Sequence, residues 1–173
     1  IYYDASCAST LEQLIQLPLD ERRRQRADDL IHQWRAARVS KYNSERDYQG
    51  PLPERFVLVC DQTAGDSSIR YGLGDDGSFR RMLTAALDEN PDTTIIVKTH
   101  PDRYTRRSKG YFSKAALAGI PGVMVIDEPC HPVRLLEHAE RVYCVTSQMG
   151  FEALLWGKPV RVFGMPFYAG WGL

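Results

Sequence analysis

Three apolar segments of this chain each lead directly into a polar loop, and this repetition limits the folds that the chain can adopt. The run FVLVC at 56–60 is followed by DQTAGD at 61–66, the run TIIV at 94–97 by KTHPD, and the run VYCV at 142–145 by TSQMGFE. Unbroken apolar runs of this length are typical of strands covered on both faces. In open α/β sheets, ligands bind at the carboxyl ends of such strands. The three loops therefore predict one shared site.

From residue 55 onward, strand and helix patterns alternate. Strands are predicted at 56–60, 94–98, 123–126, 142–145 and 159–163, and helices at 78–89, 113–118, 132–139 and 150–156. This alternation predicts an α/β fold with a Rossmann-like parallel sheet and flanking helices. The segment 20–54 is predicted to be a long polar helix from Asp20 and a Gly/Pro-containing loop, which together link the sheet to residues 1–19.

Charge and cysteine content disfavour several classes of function. The 22 basic and 22 acidic residues cancel, so no overall field favours nucleic acid or an anionic membrane. The four cysteines lie far apart, without a CxxC pair or a spacing suited to zinc, so we expect reduced thiols and no metal site. No apolar stretch approaches the roughly 20 residues that span a bilayer, and the first residues do not resemble a secretion signal. We therefore expect a cytoplasmic protein.

Two common nucleotide-binding patterns do not occur in the sequence. The glycines at 65, 72, 74 and 77 do not form GxGxxG, and there is no GxxxxGK[ST] loop, which disfavours an NAD enzyme. A phosphate could still bind the first amides of a helix, and Ser147 and Gln148 are suitably placed before the helix led by Gly150. Ser147 as a simple helix N-cap has equal weight from the local sequence.

His100 and Lys98 stand at the end of the second predicted strand. Pro101 biases His100 towards an extended backbone, and an imidazole held in this way can donate a hydrogen bond to a phosphate leaving group. Lys98 would add positive charge there. A hydrogen-bonded structural histidine is the alternative interpretation.

Three acidic residues complete the candidates for chemistry. Glu152 lies one helical turn after Gln148 and could reach the hydroxyls of a ribose, or it could be a surface carboxylate. Asp61 and Asp66 could act as nucleophile or base where a sugar is transferred. Asp66 could instead cap a turn.

Four motifs in order resemble the capsule polysaccharide biosynthesis proteins of the KpsC type, the retaining β-Kdo transferases of Gram-negative bacteria. They are VLVCDQTAGDSSI at 57–69, IVKTHPD at 96–102, VTSQMGFEALLWGKPV at 145–160 and FGMPFYAGWGL at 163–173. IYYDA at the amino end is also similar, so the resemblance covers nearly the whole chain. The HP and Ser motifs are similar to those of bacterial sialyltransferases as well, which use CMP-sialic acid.

The resemblance implies the donor-binding half of a GT-B glycosyltransferase. Residues 1–19 would be the end of the acceptor domain, 20–54 the linker helix and loop, and 55–173 the Rossmann-like domain that binds the donor CMP-Kdo. The family binds its donor without a divalent metal, so no cofactor is expected. The implied contacts to CMP-Kdo are His100, Pro101, Ser147 and Gln148 at the phosphate, Glu152 at the cytidine ribose, and Gln62, Lys98 and Gly150 elsewhere in the donor site.

Transfer with retention needs two displacements or a shielded ion pair, and a carboxylate provides the first route. Asp61 is the first candidate nucleophile because of its strand-end position, and Asp66 is the second. His100 would assist the departure of CMP, and Lys98, Arg70 or Arg81 would pair with the Kdo carboxylate.

The expected partners are CMP-Kdo, a glycolipid acceptor at the inner membrane, and other capsule assembly and export proteins. The alternative to a purely cytoplasmic location is a peripheral position at the inner membrane. Two other functions stay open. One is a non-catalytic nucleotide-sugar-binding or scaffolding module of the capsule machinery. The other is a different nucleotide-sugar enzyme, such as a sialyltransferase or an epimerase.

Overall fold

A computed structural model describes residues 3–100 and 109–170 of the chain. Its centre is a sheet of five parallel strands in the order β3-β2-β1-β4-β5. The Rossmann-like parallel sheet predicted from the alternation of patterns is confirmed. The strands are β1 (Phe56–Cys60), β2 (Thr94–Lys98), β3 (Val123–Ile126), β4 (Val142–Cys144) and β5 (Val160–Val162).

Seven helices are described, and most begin at a side chain that accepts a hydrogen bond from the first turn. Ser9, Asp20, Asp66, Asp75, Ser113 and Ser147 cap six of them in this way. The helices are α1 (Thr10–Ile15), α2 (Glu21–Ala36), α3 (Ser67–Tyr71), α4 (Asp76–Glu89), α5 (Lys114–Leu117), α6 (Val133–His138) and α7 (Gln148–Leu155).

Two of the helices that differ from the sequence prediction are α3 and α7. The pattern did not predict α3, which has five residues and only one buried side chain, Ile69, and is therefore too short to show a helical period. The last helix begins at Gln148 rather than at residue 150, because the Ser147 side chain accepts a hydrogen bond from the Met149 nitrogen and starts the helix earlier. Both differences lie beside the predicted site.

The sheet is covered on both faces, as the unbroken apolar runs predicted. On β1, Phe56, Leu58 and Cys60 pack into the core with α6 and α7, while Val57 and Val59 pack into the core with α4 and α5. All five side chains are at most 1% exposed. Full burial of a large apolar side chain contributes about 1.5–3 kcal/mol, so burial of these side chains stabilises β1 in the centre of the sheet.

The strand order of the sheet reverses at β1. The chain runs from β1 to β2 to β3 on one side, and then returns to place β4 on the other side of β1. The loops after β1 and β4 therefore diverge and leave a crevice at their carboxyl ends. This is where open α/β sheets bind their ligands.

The long helix α2 lies against the sheet domain through charged contacts. None of its residues is buried, and Leu30 on its apolar stripe is 55% exposed. The Arg35 Nε donates to the carbonyl oxygen of Leu155, and Arg38, just after the helix, donates to the carboxylates of Glu137 and Asp47. The division into acceptor end, linker and donor domain stays a prediction.

The four cysteines are free thiols, as expected. Cys60 and Cys144 are buried in the core between the sheet and the helices α6 and α7. Within the described ranges, no helix is both long and apolar enough to cross a membrane.

Candidate functional site

A cavity of about 110 Å³ opens at the carboxyl ends of β1, β2 and β4. The loop at 40–45, which follows α2, covers part of it. Six of the ten predicted site residues line this cavity; they are Asp61, Lys98, His100, Ser147, Gln148 and Glu152. Asp66, Gln62 and Gly150 lie outside it, and Pro101 falls outside the described residues.

His100 is held at the cavity by two contacts from different parts of the chain. Its Nδ1 lies 3.2 Å from the Thr63 hydroxyl oxygen, and the Tyr42 ring meets the imidazole edge-on with 5.9 Å between ring centres. These contacts orient the ring. The sequence did not single out Tyr42, or Thr63 within the motif at 57–69, because both approach His100 only in the fold.

Lys98 is buried beneath the cavity. Its ammonium group donates a hydrogen bond to the Thr99 carbonyl oxygen at 2.7 Å, and only 5% of the residue is exposed. Burial lowers the pKa of Lys98, because desolvation disfavours the charged form. The ammonium is therefore directed at the protein backbone in this structure.

Asp61 fastens a second loop to the end of β1. Its Oδ1 accepts hydrogen bonds from the backbone nitrogens of Gln62 and Tyr111, both at 2.9 Å, and its Oδ2 accepts a longer one from Phe112. The residue is 3% exposed. Gly110 is needed beside it, because a Cβ at that position would overlap the Asp61 Oδ2.

Gln62 joins the ends of β1 and β4 rather than lining the cavity. Its side-chain amide donates to the Thr146 hydroxyl and accepts from the Thr146 backbone nitrogen, both at 2.9 Å. The residue is 4% exposed. This pairing fixes the mouth of the crevice at the point where the sheet order reverses.

Asp66 is the N-cap of α3, so it has the capping role that was the alternative interpretation of this residue. One carboxylate oxygen accepts a hydrogen bond from the Ser68 nitrogen at 2.8 Å, and the residue is exposed. Its backbone nitrogen donates to the Thr63 carbonyl oxygen at 3.1 Å. Asp66 therefore belongs to the same loop that contacts His100 through Thr63.

The amino end of α7 faces the cavity. Ser147 is the N-cap of this helix, and both Ser147 and Gln148 line the cavity. Gly150 lies behind them, where a Cβ would overlap the Tyr168 hydroxyl and approach the Cys144 sulfur at 2.6 Å. Gly150 thus permits close packing of α7 on the loop that carries Tyr168.

Glu152 is not a surface carboxylate, so that alternative is wrong. The residue is 1% exposed, its Oε2 accepts from the Ser40 hydroxyl at 2.6 Å, and its Oε1 accepts from the Lys41 backbone nitrogen at 3.0 Å. Glu152 therefore ties the loop after α2 to the helix that forms the cavity wall. A carboxylate has about four lone-pair sites, so two further hydrogen bonds are chemically possible.

Sequence comparisons identify relatives along nearly the entire chain. The profile of the capsule polysaccharide biosynthesis protein family matches residues 9–173. Capsule polysaccharide modification protein LipA of Neisseria meningitidis serogroup B is 44% identical over 184 positions, covering all of this chain and 25% of LipA. Lipopolysaccharide-processing protein LpsZ of Rhizobium meliloti is 35% identical and is covered to 40% of its length. The chain thus spans less than half of either relative.

The solved structures that share the fold include two Kdo transferases. The β Kdo 2,4 transferase of Thermosulfurimonas dismutans KpsC matches with a TM-score of 0.86 at 44% identity, over 99% of this chain and 55% of that one. The β Kdo 2,7 transferase of the same KpsC matches with a TM-score of 0.71 at 27% identity, over 53% of its chain. The chain therefore belongs to the capsule polysaccharide biosynthesis protein family.

Proposed function

We propose that this chain is the donor-binding half of a GT-B glycosyltransferase that transfers β-Kdo from CMP-Kdo to a glycolipid acceptor with retention. The product would be the linker on which capsule polysaccharide is assembled for export. The observation that carries the proposal is the convergence of His100 with the amino end of α7 at the sheet reversal, in a chain similar to two Kdo transferases. The transfer of Kdo would take place in the cytoplasm, at the inner membrane that contains the glycolipid acceptor.

The linkage made by this chain is proposed to be of the 2,4 type. Identity to the KpsC β Kdo 2,4 transferase is 44%, against 27% for the 2,7 transferase of the same protein. The TM-scores of 0.86 and 0.71 favour the same choice.

The phosphate of CMP would bind between α7 and β2. The first amides of α7 and the positive end of its dipole attract an anion, with Ser147 and Gln148 beside it. His100 would donate to the phosphate from the opposite side, so that protein donors take the place of a metal. Glu152 would meet the ribose from the next turn of α7.

Donor binding would require the loop at 40–45 to shift. The cavity of about 110 Å³ is smaller than the roughly 300–1,000 Å³ of typical ligand sites. Tyr42 contacts His100 and lines the cavity, so it is the side chain that CMP would displace.

Of the two candidate nucleophiles, Asp66 is the more exposed, although it lies outside the cavity that Asp61 lines. The Asp61 carboxylate lines the cavity, but it is buried and accepts three backbone N–H groups, which lowers its nucleophilicity. Asp66 is exposed, on the loop that contacts His100 through Thr63. We therefore propose Asp66 as the nucleophile and Asp61 as a positioning residue.

The reaction would proceed in two displacements. A carboxylate oxygen of Asp66 bonds to the anomeric carbon of Kdo while the bond from that carbon to the phosphate oxygen breaks, and CMP leaves with the electron pair, assisted by His100. The acceptor hydroxyl then attacks the same carbon, releases the Asp66 carboxylate and loses its proton to a base. Two inversions give net retention.

The proposal is tested with the full-length gene product, CMP-Kdo and a synthetic Kdo-terminated glycolipid, with CMP-sialic acid as a parallel donor. Mass spectrometry should detect an acceptor larger by one Kdo and no product from CMP-sialic acid. Consumption of CMP-sialic acid alone would instead support a sialyltransferase-like enzyme. Binding of CMP to this chain by calorimetry, without any turnover by the full-length product, would support a non-catalytic module.

A further inference from the structure

A second and larger opening, which we call the aromatic groove, lies beside the first cavity. It has a volume of about 620 Å³, within the range of about 300–1,000 Å³ for drug-sized ligands. The two openings share no lining residue among those described, yet consecutive residues line them: Thr146 lines the groove and Ser147 the cavity. The two openings therefore meet the chain at neighbouring residues after β4.

Three aromatic rings form the walls of this groove: Tyr3, Tyr71 and Phe167. Tyr71 is 44% exposed, although a ring of this size gains free energy from burial. The C–H faces of a pyranose ring are flat and apolar and can pack against such rings. An aromatic wall of this kind therefore suits a sugar.

Polar groups stand between the rings. The hydroxyls of Ser67, Ser68 and Thr146 and the carboxylate of Asp4 line the groove. The Ser68 and Thr146 hydroxyl oxygens lie 3.3 Å apart, and a hydroxyl can both donate and accept. This mixture matches the alternating O–H and C–H surface of a saccharide.

Backbone hydrogen bonds fix the walls relative to one another. The Ala5 nitrogen donates to the Tyr71 carbonyl oxygen at 2.7 Å, which holds the amino-terminal segment against α3. The Met165 nitrogen donates to the Gly72 carbonyl oxygen at 2.6 Å, which holds the loop carrying Phe167 against the end of the same helix. The groove is therefore built on α3, which Asp66 caps.

We infer that the aromatic groove binds the terminal saccharide of the acceptor, with its attacking hydroxyl directed at the anomeric carbon of the Kdo that Asp66 has bound. The inference rests on the proposed function, because it takes the nucleotide to occupy the cavity lined by Ser147. The groove has the volume of a drug-sized ligand, so it has room for the terminal saccharide and part of the preceding sugar.

The test is calorimetry on this chain, with the methyl β-glycoside of Kdo as the acceptor probe and with CMP and CMP-Kdo as donor probes. Tyr71→Ala should weaken binding of the methyl glycoside about tenfold and leave CMP binding unchanged. Tyr71→Phe keeps the ring and should bind like the wild type. Leu30→Ala, which removes a similarly exposed apolar side chain outside the groove, should have no effect.

Unchanged binding of the methyl glycoside to Tyr71→Ala would overturn the inference, as would a wild type that does not bind this probe. Weakened binding of CMP-Kdo with unchanged binding of the methyl glycoside would also overturn it, because the groove would then hold the donor sugar. If CMP fails to bind while Tyr71→Ala still loses the methyl glycoside, the groove assignment stands and the donor assignment fails. Circular dichroism of each variant checks that the fold is retained.

Discussion

The carboxylate Oδ1 of Asp61 lies 2.9 Å from the backbone nitrogen of Tyr111, across 50 residues of chain. This bond joins the loop after β2 to the end of β1. Asp61 is the first residue of the DQTAGD loop, and through this bond it acts as a structural anchor. For this reason we propose Asp66, farther along the same loop, as the nucleophile.

The anchor predicts a glycine requirement at position 110. Gly110→Ala should lower the free energy of unfolding by about 1–3 kcal/mol, because the new Cβ would overlap the Asp61 carboxylate and force the loop away. Gly119→Ala is the matched control, since nothing lies within 4 Å of a Cβ there. Urea denaturation of both variants measures the difference, and equal stabilities would contradict the anchoring role.

Glu152 should be required for stability because of its bonds to Ser40 and Lys41. Glu152→Ala leaves the buried Ser40 hydroxyl and the Lys41 nitrogen without this acceptor, and should cost about 2 kcal/mol or more. Glu152→Gln keeps one carbonyl acceptor and should cost less. Glu54→Ala, at an exposed carboxylate, should fall within about 0.5 kcal/mol of the wild type. A Glu152→Ala variant as stable as Glu54→Ala would show that these hydrogen bonds contribute nothing.

The cysteines should react with alkylating reagents in an order set by burial. Desolvation raises the pKa of Cys144 to about 12 and raises that of Cys60 well above its usual value, and only the thiolate reacts. At pH 8 almost all of the Cys144 thiol would therefore be protonated. Exposed Cys7 should therefore be modified by iodoacetamide while Cys60 and Cys144 stay protected until guanidinium unfolds the chain. Peptide mass spectrometry reads the order, and native labelling of Cys144 at the rate of Cys7 would be inconsistent with this core.

Much of the sheet could be predicted from the sequence, because most strands are short apolar runs with a polar or Gly/Pro boundary. The convergence of Asp61, His100 and Ser147 also followed from sequence, since the carboxyl ends of parallel strands meet at one edge. Local pattern was sufficient at these positions. The five-residue helix α3 lacked any such pattern.

The roles of individual site residues could not be predicted, because they depend on partners far away in the chain. Glu152 bonds Ser40 across 112 residues, and Gln62 bonds Thr146 across 84. No local motif encodes such pairs. The aromatic groove was missed for the same reason, since its walls come from both ends of the chain and from α3.

The rate of Kdo transfer by an Asp66→Asn variant is the most direct test of the proposed chemistry. Asparagine is as good an N-cap as aspartate, so α3 should remain intact and CMP should bind as in the wild type. The full-length variant should transfer Kdo from CMP-Kdo at least about a thousandfold more slowly than the wild type, because it lacks the nucleophilic carboxylate. Wild-type transfer by Asp66→Asn, together with complete loss in a stably folded Asp61→Asn, would contradict the assignment and return the nucleophile to Asp61.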